Sequence, residues 1–172
     1  MSDIDWSRIP LFRDLPAAGI KKASAIFDMV ELLAGQNLLE EGEEGDELYI
    51  LVEGRVRVIK AMLLRGMNLP LLEAANPHKV LATLDAAEYP VFGEVALLDH
   101  DIRSATITAV EDCRFLRTDR DRFFQLVERE PCLGSTLLAI LGKRLAETVR
   151  RSNTELIKLT TALALALARS RS

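Results

Sequence analysis

The stretch Phe92-Gly93-Glu94-Val95-Ala96-Leu97-Leu98-Asp99-His100-Asp101-Ile102-Arg103-Ser104-Ala105-Thr106 has residue types and spacings that suit a phosphorylated sugar. Gly93 lacks a side chain, so backbone N–H groups beside it can approach a ligand closely. Residues 94–98 are long enough for one helical turn, whose unpaired N–H groups and positive dipole end favour an anion. Arg103 follows that turn by five residues and can loop back to it, and a guanidinium matches two oxygens of a phosphate. Glu94 would repel a phosphate, but it is a good acceptor for a sugar hydroxyl next to one. A carboxylate for a ribose and an arginine for a phosphate fit a nucleotide better than free phosphate.

The chain that must position these residues has 172 residues, enough for one domain with a real core. Hydrophobic residues make up 49% and charged residues 28%, a globular balance that excludes a disordered chain. Lys and Arg number 22 against 26 Asp and Glu, a net charge of −4, which argues against a dedicated nucleic-acid binder. The two cysteines, Cys113 and Cys132, cannot form a disulfide framework or a four-thiolate metal site. No basic start followed by an apolar run marks an export signal, so a cytoplasmic protein with reduced thiols is expected. The longest apolar stretch, Leu159–Ala168, is too short to span a bilayer.

Around the central stretch, residues 1–34 read as N-terminal helices. Ile9, Phe12, Ile20, Ala23, Ile26, Phe27 and Val30 recur at spacings of three and four, broken by Pro10 and Pro16. Residues 35–118 read as short strands with glycine turns, an antiparallel β-roll of the double-stranded β-helix or jelly-roll type. Its strands are expected at Leu48–Val52, Arg55–Lys60, Lys79–Leu84, Ile107–Val110 and Cys113–Thr118. Residues 61–78, interrupted by Gly66, Pro70 and Pro77, read as an excursion folded onto the body. Residues 119–172 read as C-terminal helices. Asp119 is an N-cap, and a long helix restarts at Pro131 with an apolar row through Leu138, Leu141, Leu145, Val149 and Leu156. A stripe of that length is expected to pair with a second copy of itself. The whole is an α+β chain, a single domain over 1–172.

The central stretch resembles the phosphate-binding cassette of the cyclic nucleotide-binding domain family, of the catabolite activator protein type. The family pattern, Phe-Gly-Glu, two small or apolar residues, Leu, and then Pro-Arg-Ser/Thr/Ala-Ala, stands here as Phe92-Gly93-Glu94 through Leu97 to Arg103-Ser104-Ala105. The likeness extends over residues 9–150, through the hairpin at Tyr49–Val56 and the helix start Asp119–Phe124. It implies a cyclic nucleotide as ligand and a cassette spanning 92–106. Glu94 would accept from the ribose 2′-hydroxyl and Arg103 would pair with the cyclic phosphate. Gly93 and Ala105 would offer N–H groups, and Ser104 a hydroxyl. Phe92, Val95 and Ala96 complete the cassette's share of the binding set. The resemblance also places a base contact on the long helix near Thr148, with Leu141, Leu145 and Val149 as an apolar cap and Arg144 at its edge. Members favouring cyclic GMP often carry Thr after the arginine; Ser104 here implies a modest preference for cyclic AMP. Three features depart from the pattern: Ile102 for Pro, the longer Ala87–Val91 turn, and the 61–78 excursion.

Other classes fit less well. A cupin-like metalloenzyme needs clustered His and carboxylate ligands, and His78 and His100 stand apart, so no metal, cofactor or catalytic residue is expected. A transcription factor needs a helix-turn-helix, and the 19 residues after Asn153 are too few. The remaining alternative is an interaction or dimerisation module of this fold that binds no nucleotide or a different small effector. The expected reading is a non-catalytic sensor that signals through its C-terminal helix to an unknown protein effector, with Arg103→Glu abolishing binding and sparing the fold.

Overall fold

A computed structural model describes residues 4–61 and 78–169. After a 3-10 turn at Trp6–Arg8, helix α1 spans Ala17–Ser24, with Pro16 just ahead of it. Eight strands follow: β1 (Asp28–Leu32), β2 (Asn37–Leu39), β3 (Leu48–Glu53), β4 (Arg55–Ala61), β5 (His78–Asp85), β6 (Val91–Phe92), β7 (Thr106–Ala109) and β8 (Cys113–Thr118). A short helix α2 (Glu94–Asp99) lies between β6 and β7, and helices α3 (Arg120–Arg129) and α4 (Pro131–Arg169) close the chain. The strands form two antiparallel sheets, β1-β8-β3-β6 and β2-β7-β4-β5, a jelly roll flanked by helices. The 62–77 part of the excursion and the last three residues lie outside the described residues.

The unbroken apolar run of β3 follows from its position. Tyr49 and Leu51 face the space between the sheets, with Val56, Phe92, Ile107 and Phe115. Leu48 and Ile50 face outward into a second core that joins Phe12, Phe27, Leu116, Phe123, Leu137 and Leu141 of the flanking segments. A strand covered on both faces has no reason to alternate. Strand β8 divides the same way, with Phe115 inward and Leu116 outward.

The N-terminal expectation needs correction. Helix ends at Ser24, and residues 28–32, read from the sequence as helical, are strand β1. Asp28 to Leu32 pair antiparallel with Arg117 to Cys113, so the roll begins at Asp28 rather than residue 35. The spacing of Ile26, Phe27 and Val30 is compatible with a helix, but β8 needs a partner for its open edge, and sheet pairing overrides the local pattern. Strand β6, two residues long, lay inside what reads as a turn. Ahead of it Tyr89 adopts φ +47 in the left-handed region that ordinarily favours glycine.

Helix α3 starts where Asp119 predicts: its side chain accepts from the Arg122 N–H at 2.9 Å. Helix α4 is unbroken over 39 residues, about 58 Å at 1.5 Å per residue, and Ser152-Asn153 does not interrupt it. Leu137 and Leu141 are in the core; beyond them the row emerges, with Val149 57% and Leu156 60% exposed. The α3–α4 corner depends on Gly134, where an added Cβ would come within 2.7 Å of the Val127 Cα. Gly134→Ala gains about 1 kcal/mol of helix propensity. Overpacking against backbone costs about 1–3 kcal/mol. A lower urea midpoint for Gly134→Ala is therefore expected.

Candidate functional site

A cavity of about 330 Å³ lies between the roll and α4. Leu39, Val58, Leu84 and Ile107 give it an apolar wall; Glu88 and Pro90 come from the turn before β6. All ten residues singled out in the sequence line it: Phe92, Gly93, Glu94, Val95, Ala96, Arg103, Ser104, Ala105, Arg144 and Thr148. The first eight come from the cassette and the last two from α4, some 40 residues on.

Arg103 is 5% exposed, unusual for a guanidinium. Its Nη1 donates to the Glu47 carbonyl at 2.8 Å and its Nη2 to Glu47 Oε2 at 2.6 Å. Arg117 on β8 donates to the other carboxylate oxygen of Glu47 at 3.3 Å. The backbone fixes the same place: the Arg103 N–H donates to the Glu43 carbonyl and the Gly42 N–H to the Arg103 carbonyl, both at 2.8 Å. Ile102 leaves this turn no looser than proline would. Its N–H donates to Asp101 Oδ1 at 2.7 Å, a bond proline could not make, and it bridges to Glu44.

Gly93 begins α2 at φ +82. A Cβ there would run into the Glu47 carbonyl oxygen and come within 2.6 Å of Arg103 Nη1. Glycine at 93 is therefore required twice, by conformation and by space. Glu94 follows as the first residue of α2. Burial pushes its carboxyl above the usual carboxylate range; its own backbone N–H and the Arg144 charge pull the other way without cancelling the effect. Arg144 Nε is buried without a hydrogen-bond partner among the described residues.

The apolar cap expected from Leu141, Leu145 and Val149 is not what faces the cavity. Leu141 is in the helical core and Val149 is exposed; α4 presents Arg144, Thr148 and Arg151 instead. At about 100° per residue these three share one face, and Leu145, Val149 and Leu156 lie roughly a third of a turn round. Lid and apolar seam are thus separate faces of one helix. Arg151 was legible in principle, three residues from Thr148 and seven from Arg144. Glu47 was not, being one acid among many in 40–47 and 56 residues from Arg103. Among the described residues no His, Cys, Asp and Glu cluster could hold a metal, and no helix is long and apolar enough to cross a membrane. Cys113 and Cys132 are both free.

Roll, cassette and helix together define a jelly-roll domain of the kind that encloses a small ligand. The family model for the cyclic nucleotide-binding domain matches residues 29–130, and the chain belongs to that family. It is similar to the cyclic AMP receptor protein of Thermus thermophilus, 31% identical over 80% of this chain and 58% of that one. It is 32% identical to the cGMP-dependent protein kinase 2 of Homo sapiens over 69% of this chain and 14% of the kinase. The crystal structure of the Thermus thermophilus catabolite activator protein superposes with TM-score 0.69 and 30% identity, covering 88% of this chain and 63% of that one. The chain spans about three-fifths of the length of the bacterial relatives it matches, 58% and 61%.

The raised Glu94 carboxyl gives a pH test. The folded chain holds this proton more tightly than the unfolded chain. The group's contribution to stability is full below the ordinary carboxylate range and declines as pH rises toward the folded value. Glu94→Gln removes that decline. Its Tm is expected to exceed the parent's near neutral pH, with the gap closing in acid; thermal unfolding across that range checks it.

Proposed function

We propose that the chain is a non-catalytic cyclic nucleotide sensor, taking cyclic AMP in preference to cyclic GMP. The observation that carries this reading is that Glu94 and Arg103 line one cavity of about 330 Å³. A carboxylate and a guanidinium on the wall of one cavity suit a ligand that carries both a ribose hydroxyl and a phosphate. Family membership and the bacterial relative whose name specifies cyclic AMP support it. Ser104 keeps the preference modest, since its hydroxyl also suits a guanine.

In this reading the phosphate meets Arg103, the ribose meets Glu94, and Thr148 with Arg144 and Arg151 meets the base from α4. A ligand that touches both cassette and helix favours whichever helix position makes both contacts. It shifts the population only by that difference in affinity. The exposed row of Leu156, Leu159 and Val149 pairs two chains along α4, and output passes from there to a protein effector.

Arg103→Glu no longer makes a clean test, because it would bury two carboxylates face to face at Glu47. Arg103→Lys keeps the charge and loses the fork. Calorimetry with cyclic AMP and cyclic GMP is expected to show binding to the parent. For Arg103→Lys affinity should fall at least tenfold, as expected when a charge-assisted bond worth about 1.5–3 kcal/mol is lost. No heat from either nucleotide with the parent overturns the reading and leaves an interaction module or a different effector. Separately, Leu156→Asp is expected to turn a dimer into a monomer by light scattering and leave nucleotide affinity within about threefold, because Leu156 lies off the lid face.

A further inference from the structure

The short helix α2 carries the cassette, and its two ends have different neighbours. Gly93 and Glu94 at the start line the cavity. At the other end His100 turns left-handed at φ 59, and its N–H donates to the Ala96 carbonyl at 2.9 Å. The last carbonyls of a helix have no partner within it and need one from elsewhere. Here they find Arg120. Its Nη1 donates to the Leu97 carbonyl and, at 3.0 Å, to the Leu98 carbonyl. The same guanidinium lies over the Phe124 ring, 4.6 Å from its centroid. Among the described residues no carboxylate pairs with Arg120, so these carbonyls and this ring hold it.

Arg120 is the first residue of α3, and α3 runs into α4 with only Glu130 between them. Glu130 leaves the helical conformation at φ −131 and ψ 70, but its N–H donates to the Leu126 carbonyl and its carbonyl accepts from the Gly134 N–H, so it is bonded to both helices. Cassette and helices also share an outer apolar core that holds Leu97, Phe123, Leu137 and Leu141, and the Arg144 charge on α4 acts on Glu94. Apolar contact resists separation but tolerates sliding and rotation. A guanidinium bonded to two successive carbonyls and stacked on a ring fixes direction as well.

We propose that Arg120 is the positioning residue that makes α3 and α4 follow the cassette, so that a displacement at Gly93–Arg103 reaches the lid face of α4 through the Leu97 and Leu98 carbonyls. The proposal rests on the ligand-sensor reading for its purpose, but its test does not need a ligand.

Hydrogen exchange is measured on four versions of the full chain: parent, Arg103→Ala, Arg120→Ala and the double variant. Arg103→Ala frees the cassette from Glu47. With Arg120 present this should speed exchange of amides 122–140 by about tenfold; with Arg120→Ala the same cassette change should alter them less than about twofold. Arg120→Lys, which keeps the cation but not the planar guanidinium stacked on Phe124, should give an intermediate value. If Arg120→Ala is too unstable for exchange to be read, Arg120→Lys and Arg120→Gln serve in its place, and their far-ultraviolet spectra confirm the fold. An equal response to Arg103→Ala with and without Arg120, including no response in either, overturns the proposal. A second arm adds cyclic AMP: the nucleotide should protect amides 122–140 in the parent and leave them unprotected in Arg120→Ala, while the cassette and the stretch of α4 around Arg144, Thr148 and Arg151 are protected in both. Failure of the parent to bind counts against the sensor reading alone, because the ligand-free arm has already decided the role of Arg120.

Discussion

A buried guanidinium needs an anion, and the architecture around the cavity follows from that need. Arg103 is nearly enclosed, and an unpaired charge in such a place would cost several kcal/mol. Glu47 meets it with a carbonyl and a carboxylate oxygen, and Arg117 holds the remaining oxygen of the same carboxylate. Three distant segments are thereby tied together: the residue ahead of β3, the return of the cassette, and β8 in the centre of its sheet. The close fit leaves no room for side chains nearby. A Cβ at Gly93 or at Gly45 would strike the Arg103 guanidinium, so the arginine is wedged between two glycines. The acidic turn at 42–47 thus serves as the clamp that holds a cation inside the roll.

The long helix solves a different problem, that of meeting two kinds of neighbour at once. On one face Arg144, Thr148 and Arg151 look into the cavity; on the next, Val149 and Leu156 are bare. Had a single apolar stripe served as both cap and seam, a ligand and a second chain would compete for the same side chains. With the faces roughly a third of a turn apart, both can be engaged together, and a small rotation of the helix changes both sets of contacts. That is the geometry required for one equilibrium to be biased from two sites.

The parts of this structure that could be read from the sequence are those whose determinants are local. The cassette lies within fifteen consecutive residues, and its helix, its arginine and its small residues announce themselves by type and order. Asp119 capping α3 and the span of β8 are local in the same sense. Strand β1 was misread because the spacing of Phe27 and Val30 suits a helix as well as a strand, and only the open edge of β8 decides between them. The partners of the two key arginines were illegible for a related reason. Glu47 and Arg103 are 56 residues apart, Arg120 and Leu97 are 23 apart, and neither pair leaves a periodic trace. The apolar lid was a reasonable inference from the long stripe on α4, but the angle at which the α3–α4 corner delivers that helix is set by the close approach of Gly134 to Val127.

The two polar ends of the cavity differ before anything binds. At one end the Arg103 charge is already compensated, so an incoming anion must share the guanidinium with Glu47 and gains less than it would from a free cation. At the other end the Glu94 carboxylate is held in surroundings that disfavour its charge, and neither its own N–H nor Arg144 makes up the loss. A hydroxyl donated to Glu94 therefore relieves an existing cost, whereas a phosphate at Arg103 rearranges an existing pair. On the proposed reading the cavity favours a ligand carrying both groups: an isolated phosphate meets only the compensated end, and a neutral sugar meets only the strained one. The clamp on Arg103 in this way makes any anion at the guanidinium compete with Glu47.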